Sequence, residues 1–195
     1  MGRETTKTTL LEAGKKLFLE KGYNHAGIEA ILQEAGVPKG SFYHFFESKE
    51  DFGLQVIDHF ASAYEVEIER HLGDEALSPL DRLRDYYEVK CVRLQSQECR
   101  GGCLAGKLSQ EMADQSEAFR DRLDTVFRRW VDRHAECLKQ AQAAGELSPD
   151  IDPRELAEFW LSSWQGAVLR AKTIRSTAPL RTFLNVMFRS VLQPA

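Results

Sequence analysis

Cysteine is scarce in this 195-residue chain: there are four, Cys91, Cys99, Cys103 and Cys137, none in CxxC spacing or in a zinc-ligand spacing with histidine. A disulfide-built scaffold and a zinc finger are therefore excluded as sources of stability. No apolar run approaches the ~20 residues that a membrane span needs. The first residues, Met1-Gly2-Arg3-Glu4-Thr5, lack the apolar core of a signal peptide. A cytoplasmic protein without a membrane partner is expected. Excess positive charge is also missing, the net charge being −4. No HExxH, P-loop or dinucleotide fingerprint occurs, which leaves the common nucleotide and metalloprotease chemistries without residues. No cofactor and no metal are expected.

The charge that is present is unevenly spread. Residues 1–50 hold seven basic side chains (Arg3, Lys7, Lys15, Lys16, Lys21, Lys39, Lys49) and seven acidic ones, so all the excess acid lies after residue 50. A hydrophobic fraction of 43% and a charged fraction of 29% are those of an ordinary globular protein. At ~100–200 residues per domain, the length allows one domain or two small ones.

Strand alternation, low-complexity segments and repeats are all absent, and the pattern is helix after helix. Three starts are well marked: Ser48-Lys49-Glu50-Asp51, Ser78-Pro79-Leu80-Asp81 and Asp152-Pro153-Arg154-Glu155 each place a capping side chain ahead of an acid two or three residues on, two of them with proline at the first helical position. The spacing predicts nine helices, at about 5–21, 27–34, 38–45, 48–71, 79–97, 103–112, 115–144, 153–175 and 178–192, and an all-α fold. Gly22 and Gly145 close the first and seventh.

The second and third helices are short and joined through Ala35-Gly36-Val37, with Gly36 free to take positive φ. Ile28, Ile31, Val37, Phe42 and Phe46 would pack a small core beside Leu10, Leu17 and Phe18 of the first helix. Two short helices about a glycine turn fit a helix-turn-helix. The third helix would then offer Lys39, Gly40, Ser41, Tyr43 and His44 to a DNA groove, and Lys49, opening the next helix, would face a phosphate. The same spacing fits a plain helical hairpin with Tyr43 and His44 as half-buried packing.

Residues 9–56 resemble the DNA-binding domain of the TetR family of repressors. The resemblance rests on "GYNHAGIEAILQEAGVPKGSFYHFFESKEDF", with its G-Y, I-xx-I-xxx-A-G-V, K-G-[ST]-x-Y-x-x-F and S-K-E elements. It departs at Gly27, where many members carry Ser or Thr. The resemblance implies a DNA-binding transcriptional regulator, with Ser41, Tyr43, His44 and Lys49 on phosphates and Lys39 and Gly40 near bases. It implies a helix-turn-helix domain over residues 1–50 and a regulatory, effector-binding and dimerising domain over 51–195. Its partners would be a double-stranded DNA operator, a small-molecule effector and a second copy of the chain. A repressor and an activator would carry the same residues.

The eighth helix is apolar on more than one face, and the ninth offers Leu180, Phe183, Leu184, Met187, Phe188 and Val191. This fits a monomer core. The family resemblance implies a homodimer through these two helices, with Leu156, Trp160, Phe183, Leu184, Met187 and Phe188 at the interface. An effector cavity is expected among the fifth to eighth helices, its candidate lining Tyr86, Tyr87, Cys91, Leu94, Phe127, Trp130 and Trp164; helical spacing fits plain core equally well.

Cys103 follows two glycines and sits where the sixth helix starts, near Arg100 and Lys107. A helix N-terminus and nearby cations favour the reactive thiolate; a small buried apolar cysteine is the other reading. "GCLAGKLSQE" and "GAVLRAK" resemble segments of TetR-type repressors that sense electrophiles and oxidants, which implies effector sensing at Cys103 with Lys172 as partner. An enzyme using Cys103 as nucleophile would need a base, and no histidine stands near Cys103 in the sequence.

Overall fold

The computed structural model describes residues 3–194, and every regular element among them is helical. The order is α1 Arg3–Lys21, α2 Ile28–Ala35, a 3-10 helix Lys39–His44, α3 Lys49–Leu72, α4 Pro79–Ser96, α5 Leu104–Met112, α6 Glu117–Ala143, α7 Pro153–Ile174, α8 Ala178–Val186 and a π-helical turn Met187–Val191.

The starts read from the sequence are built as capping chemistry requires. Ser48 Oγ accepts from the Asp51 amide at 3.0 Å, and Asp51 accepts in return from the Glu47 amide at 3.0 Å. Asp152 accepts from the amides of Arg154 and Glu155 at 2.7 and 2.9 Å, with Pro153 losing nothing at the first position. Gly36 closes α2 at φ 63°, its amide and that of Val37 turning back onto Gln33 and Leu32.

Two segments differ from the expected α-helix. Residues 39–44 wind as a 3-10 helix, because Pro38 precedes them and the amides of Ser41 and Phe45 reach only three residues back, to Pro38 and Phe42. The last helix gives way to a π turn after Val186, where the Leu192 amide reaches five residues back to Met187.

The chain divides into two compact units, one holding the residues up to Ala63 with Leu104–Val126, the other Tyr64–Cys103 with the residues from Phe127 on. In the first, α1, α2 and the 3-10 helix close on a phenylalanine cluster. Phe52 meets Phe18, Phe42 and Phe46 with ring centroids 5.9, 5.3 and 4.8 Å apart. Gly53 leaves room for this packing, since a Cβ there would come within 2.5 Å of Phe119 and 2.8 Å of Tyr23. In the same unit α5 clamps the end of α1: Lys107 Nζ donates to the Leu19 carbonyl at 2.7 Å, and Glu111 accepts from the amides of Tyr23 and Asn24 at 2.9 and 2.8 Å.

In the second unit α7 packs on α8 and α4 on α8, around Tyr86, Tyr87, Trp130, Trp160 and Trp164, all buried. No described helix is long and apolar enough to cross a membrane.

Candidate functional site

The first unit presents its polar residues along the 3-10 segment. Phe42 and Phe46 turn into the core, which leaves their neighbours outward. Tyr43 is 68% exposed, Lys39, Gly40 and His44 are exposed, and Ser41 is half-buried. A Cβ on Gly40 would meet nothing within 4 Å, so the backbone there can be approached closely. Lys39 pairs with Glu29 of α2, with both side chains open to solvent; a phosphate would compete on even terms with so exposed a pair. Lys49 is held differently. Its ammonium lies 4.6 Å from the Tyr23 ring centroid and donates to the Asn24 carbonyl at 3.4 Å. Burial lowers its pKa. The six candidates thus share one unit, five around one outward-facing segment and Lys49 at the start of the next helix.

The second unit holds a buried polar cluster that the sequence only half disclosed. The predicted lining residues Tyr86, Tyr87, Cys91, Trp130 and Trp164 are enclosed, while Leu94 and Phe127 are half-buried. Tyr86 and Tyr87 stand 5.1 Å apart, Tyr87 and Trp164 4.7 Å, and Phe127 and Trp130 5.4 Å. Tyr64, Lys90 and His134, which sequence reasoning passed over, lie among them. Tyr64 stacks on Trp130 at 4.2 Å. Lys90 is buried, its Nζ 3.7 Å from the Tyr64 ring centroid and 4.7 Å from that of Tyr86, and it donates to the Tyr64 hydroxyl. Burial pushes its ammonium down to about 7, partly opposed by the charges of Cys103 and Glu67.

His134 Nδ1 lies 2.6 Å from the Trp130 carbonyl, which can only accept, so this nitrogen carries the proton and Nε2 accepts from the Tyr87 hydroxyl at 2.7 Å. Burial holds His134 down to about 4, the neutral form. The Tyr64, Tyr86 and Tyr87 hydroxyls are pushed far above the usual tyrosine range, first of all by burial.

All four cysteines are free thiols, and Cys91, Cys99 and Cys137 are buried while Cys103 is half-buried. Burial pushes Cys91 up to about 11 and Cys137 up to about 12, away from thiolate. Cys103 stands one residue ahead of α5, after a loop in which Glu98 and Cys99 take positive φ of 51° and 53° and Gly102 takes 114°. Such angles are costly for side-chain-bearing residues, and here the Cys99 amide is held by Leu94 and its carbonyl by Arg175. The cations expected beside Cys103 are engaged elsewhere: Arg100 with Glu98 at 3.0 Å and Lys107 with the Leu19 carbonyl. Among the described residues no hydrogen bond joins Lys172 to Cys103. The amine that a charge at Cys103 would act on is Lys90.

The expected dimer-face residues turn inward. Leu156, Trp160, Phe183, Leu184 and Met187 are buried within the chain and Phe188 is half-buried, because Trp160 meets Tyr87 at 5.2 Å, Phe183 at 5.4 Å and Phe188 at 5.5 Å. The large apolar side chains left exposed on α7 and α8 are Phe159, Leu169, Ile174 and Val186. One residue before Trp160, Phe159 is on the outer face of the same helix.

Residues 10–56 match the domain described as bacterial regulatory proteins, tetR family, and residues 79–187 match the domain described as tetracyclin repressor-like, C-terminal. The chain belongs to the TetR family. It is 39% identical to the HTH-type transcriptional repressor DhaR of Mycobacterium sp. (strain GP1), over 98% of this chain and 95% of that protein. The crystal structure of regulatory protein TetR from Rhodobacter sphaeroides is similar at a TM-score of 0.89 and 40% identity, covering 93% of this chain and 96% of that one. The reduced form of E. coli NemR is similar at 0.89 and 32% identity, covering 97% and 100%. As a TetR-family member the chain is a DNA-binding transcriptional regulator and not an enzyme. The tetR-family match lies within residues 10–56, and residues 79–187 match the C-terminal domain in which the family binds effectors.

Proposed function

We propose that the protein is a cytoplasmic repressor that holds a palindromic DNA operator as a homodimer and is released by a small reactive electrophile captured at Cys103. The observation that carries the effector reading is the burial pattern of the thiols: three are enclosed, and Cys103 alone is half-buried, at the start of a helix. An accessible thiol at such a place is the one an electrophile reaches first. Lys172 stands as a lesser candidate that no contact supports. Phe159, Leu169, Ile174 and Val186 support a dimer face on the outer side of α7 and α8. One short recognition segment binds weakly, and symmetric regulators use two half-sites.

On DNA, Ser41, Tyr43, His44 and Lys49 position the protein on phosphates while Lys39 and Gly40 approach base edges. A non-covalent effector seated against Tyr86, Tyr87 and Trp164 is the second reading, favoured by the polar groups buried beside those rings.

A DNA-shift assay on the protein's own promoter region tests this reading. The parent should bind as a dimer, with half-site centres ~34–36 Å apart, and N-ethylmaleimide should release it. Cys103→Ser should bind and not respond. Tyr43→Phe, His44→Ala and Lys49→Ala should weaken binding to all sequences alike, Lys49→Ala lowering the salt slope by about one. A Cys103→Ser protein released like the parent would move the sensor elsewhere.

A further inference from the structure

Lys90 is the least expected buried group in the molecule. It is 7% exposed, and among the described residues no carboxylate lies within ion-pair distance of its Nζ. Glu67, the acid that acts on it, is held by the Arg93 guanidinium in a two-point contact. A buried amine without a counter-ion is expensive, and packing alone would be served by methionine. Its surroundings suit a reaction instead. The Tyr64 hydroxyl is hydrogen-bonded to the amine. The Tyr86 hydroxyl is fully buried and makes no hydrogen bond of good geometry, although the Tyr64 hydroxyl lies near it. The rings of Tyr64, Tyr86 and Trp130 wall the place off.

We propose that Lys90 is a carbonyl-capture site, whose amine condenses with small aldehydes to an imine and so releases DNA. The proposal rests on reading this domain as the effector domain, but not on Cys103.

The nitrogen lone pair attacks the carbonyl carbon, a C–N bond forms, and the carbonyl π pair moves to oxygen, which takes up a proton. The C–O bond then breaks, the hydroxyl leaves with a second proton as water, and the nitrogen gives up its two protons. Amine and aldehyde become imine and water, with no oxidant or reductant. The Tyr64 hydroxyl, already bonded to Nζ, is placed to pass a proton from nitrogen to the departing oxygen. The Tyr86 hydroxyl is placed to donate to the carbonyl. Both phenols keep their protons, since burial raises their pKa.

An ordinary lysine holds about one neutral amine in 2,500 at pH 7, whereas burial brings Lys90 to about 7, near half neutral. The buried rings of Tyr86 and Trp130 and the half-buried ring of Tyr64 limit the water that could hydrolyse the imine, and the low exposure of Lys90 restricts entry to short aldehydes. Condensation removes the ammonium from between the two rings and ends its donation to Tyr64, a residue of α3, the helix that begins at Lys49.

The test is brief exposure of the full-length protein to propanal at pH 7, reduction with borohydride, and peptide mass spectrometry, run beside a DNA-shift assay. Lys90 should carry the propyl group at least tenfold ahead of exposed lysines such as Lys39, with labelling falling as the pH drops below 7. Propanal should release DNA from the parent and from Cys103→Ser, but not from Lys90→Arg or Lys90→Met. The second variant, which needs no buried charge, guards against misfolding of the first, and both should bind operator and still be released by N-ethylmaleimide. Labelling of Lys90 no faster than of Lys39, or propanal release unchanged in Lys90→Met, overturns the proposal. Release of Cys103→Ser by N-ethylmaleimide would instead sink the thiol reading and leave trapping at Lys90 to stand or fall alone.

Discussion

The two compact units both bury aromatic rings, but rings of different kinds. The first gathers Phe18, Phe42, Phe46 and Phe52, which carry no polar atom. The second gathers Tyr86, Tyr87, Trp130, Trp160 and Trp164, with the half-buried Tyr64 beside them and Lys90 and His134 among them. A hydrocarbon core asks only for fit, and a well-fitted one has a single arrangement. A core of hydroxyls, indoles, an amine and an imidazole is satisfied only by particular hydrogen bonds, and loses stability when one is missing. The first suits a part that presents one fixed face to DNA. The second suits a part whose energy changes when a small molecule or a proton enters.

The largest expected effect tests the hydrocarbon side of this contrast. Phe52→Ala removes the ring shared by three neighbours and should cost about 3–5 kcal/mol, a large share of the ~5–15 kcal/mol that holds a domain folded. The denaturant midpoint followed by circular dichroism should fall accordingly, and operator binding with it. A loss below 1 kcal/mol would show that the phenylalanine cluster is loose.

Next comes acid, which acts on the second unit. His134 is held down to about 4 from an ordinary 6.5. With the folded value depressed, stability is whole above 6.5 and drains as the pH falls through 4, because the unfolded chain takes the proton first. The expected loss is on the order of 3 kcal/mol. All three tryptophans, Trp130, Trp160 and Trp164, belong to this unit, so their emission during denaturant titrations from pH 7 to 4 reads it directly. His134→Gln should flatten the profile. A parent profile already flat would mean that the imidazole is charged and paired.

Lys90 has the same sign as His134 but acts in a higher pH window. Its value is depressed from 10.5 to about 7, so the parent loses stability as the pH falls from 10.5 through 7. Lys90→Met should therefore be more stable than the parent, by about 1–4 kcal/mol at pH 7, and the gain should shrink towards pH 10. A less stable Lys90→Met would mean that the amine is better served by its two rings and the Tyr64 hydroxyl than its burial implies.

Much of this arrangement is legible before folding. The caps at Ser48, Ser78 and Asp152 and the turn at Gly36 follow from local chemistry, which depends on neighbours three or four residues away and therefore survives in sequence. The buried polar cluster escaped because charge argued against periodicity. Lys90 falls in the stripe Leu83, Tyr86, Tyr87, Lys90, Cys91, and His134 in Trp130, Val131, His134, Ala135, Leu138, both at inward spacing. A lysine or histidine inside an otherwise apolar stripe was the available signal. The residues expected at a dimer face are buried within the chain for a related reason: the largest side chains of α7 and α8 pack within their own chain, and helical spacing does not say which apolar side faces home.

The smallest expected effect lies where the two units are alike. Arg122 pairs with Asp58 in the first and Arg129 with Glu65 at 3.5 Å in the second, each joining α6 to α3 across 64 residues of sequence. In the second unit Arg133 meets Glu69 one turn on, so the two helices run parallel there. These side chains are partly open to water, where an ion pair gains little attraction and gives up side-chain freedom. Arg122→Ala and Arg129→Ala should each cost less than ~1 kcal/mol, less still in molar salt, and by similar amounts. Near-equal small losses would locate the difference between the units in their interiors. A loss above 2 kcal/mol at Arg129 alone would instead mean that the charges along α6 help hold the tyrosine-rich core, and that its polar groups are stabilised from outside.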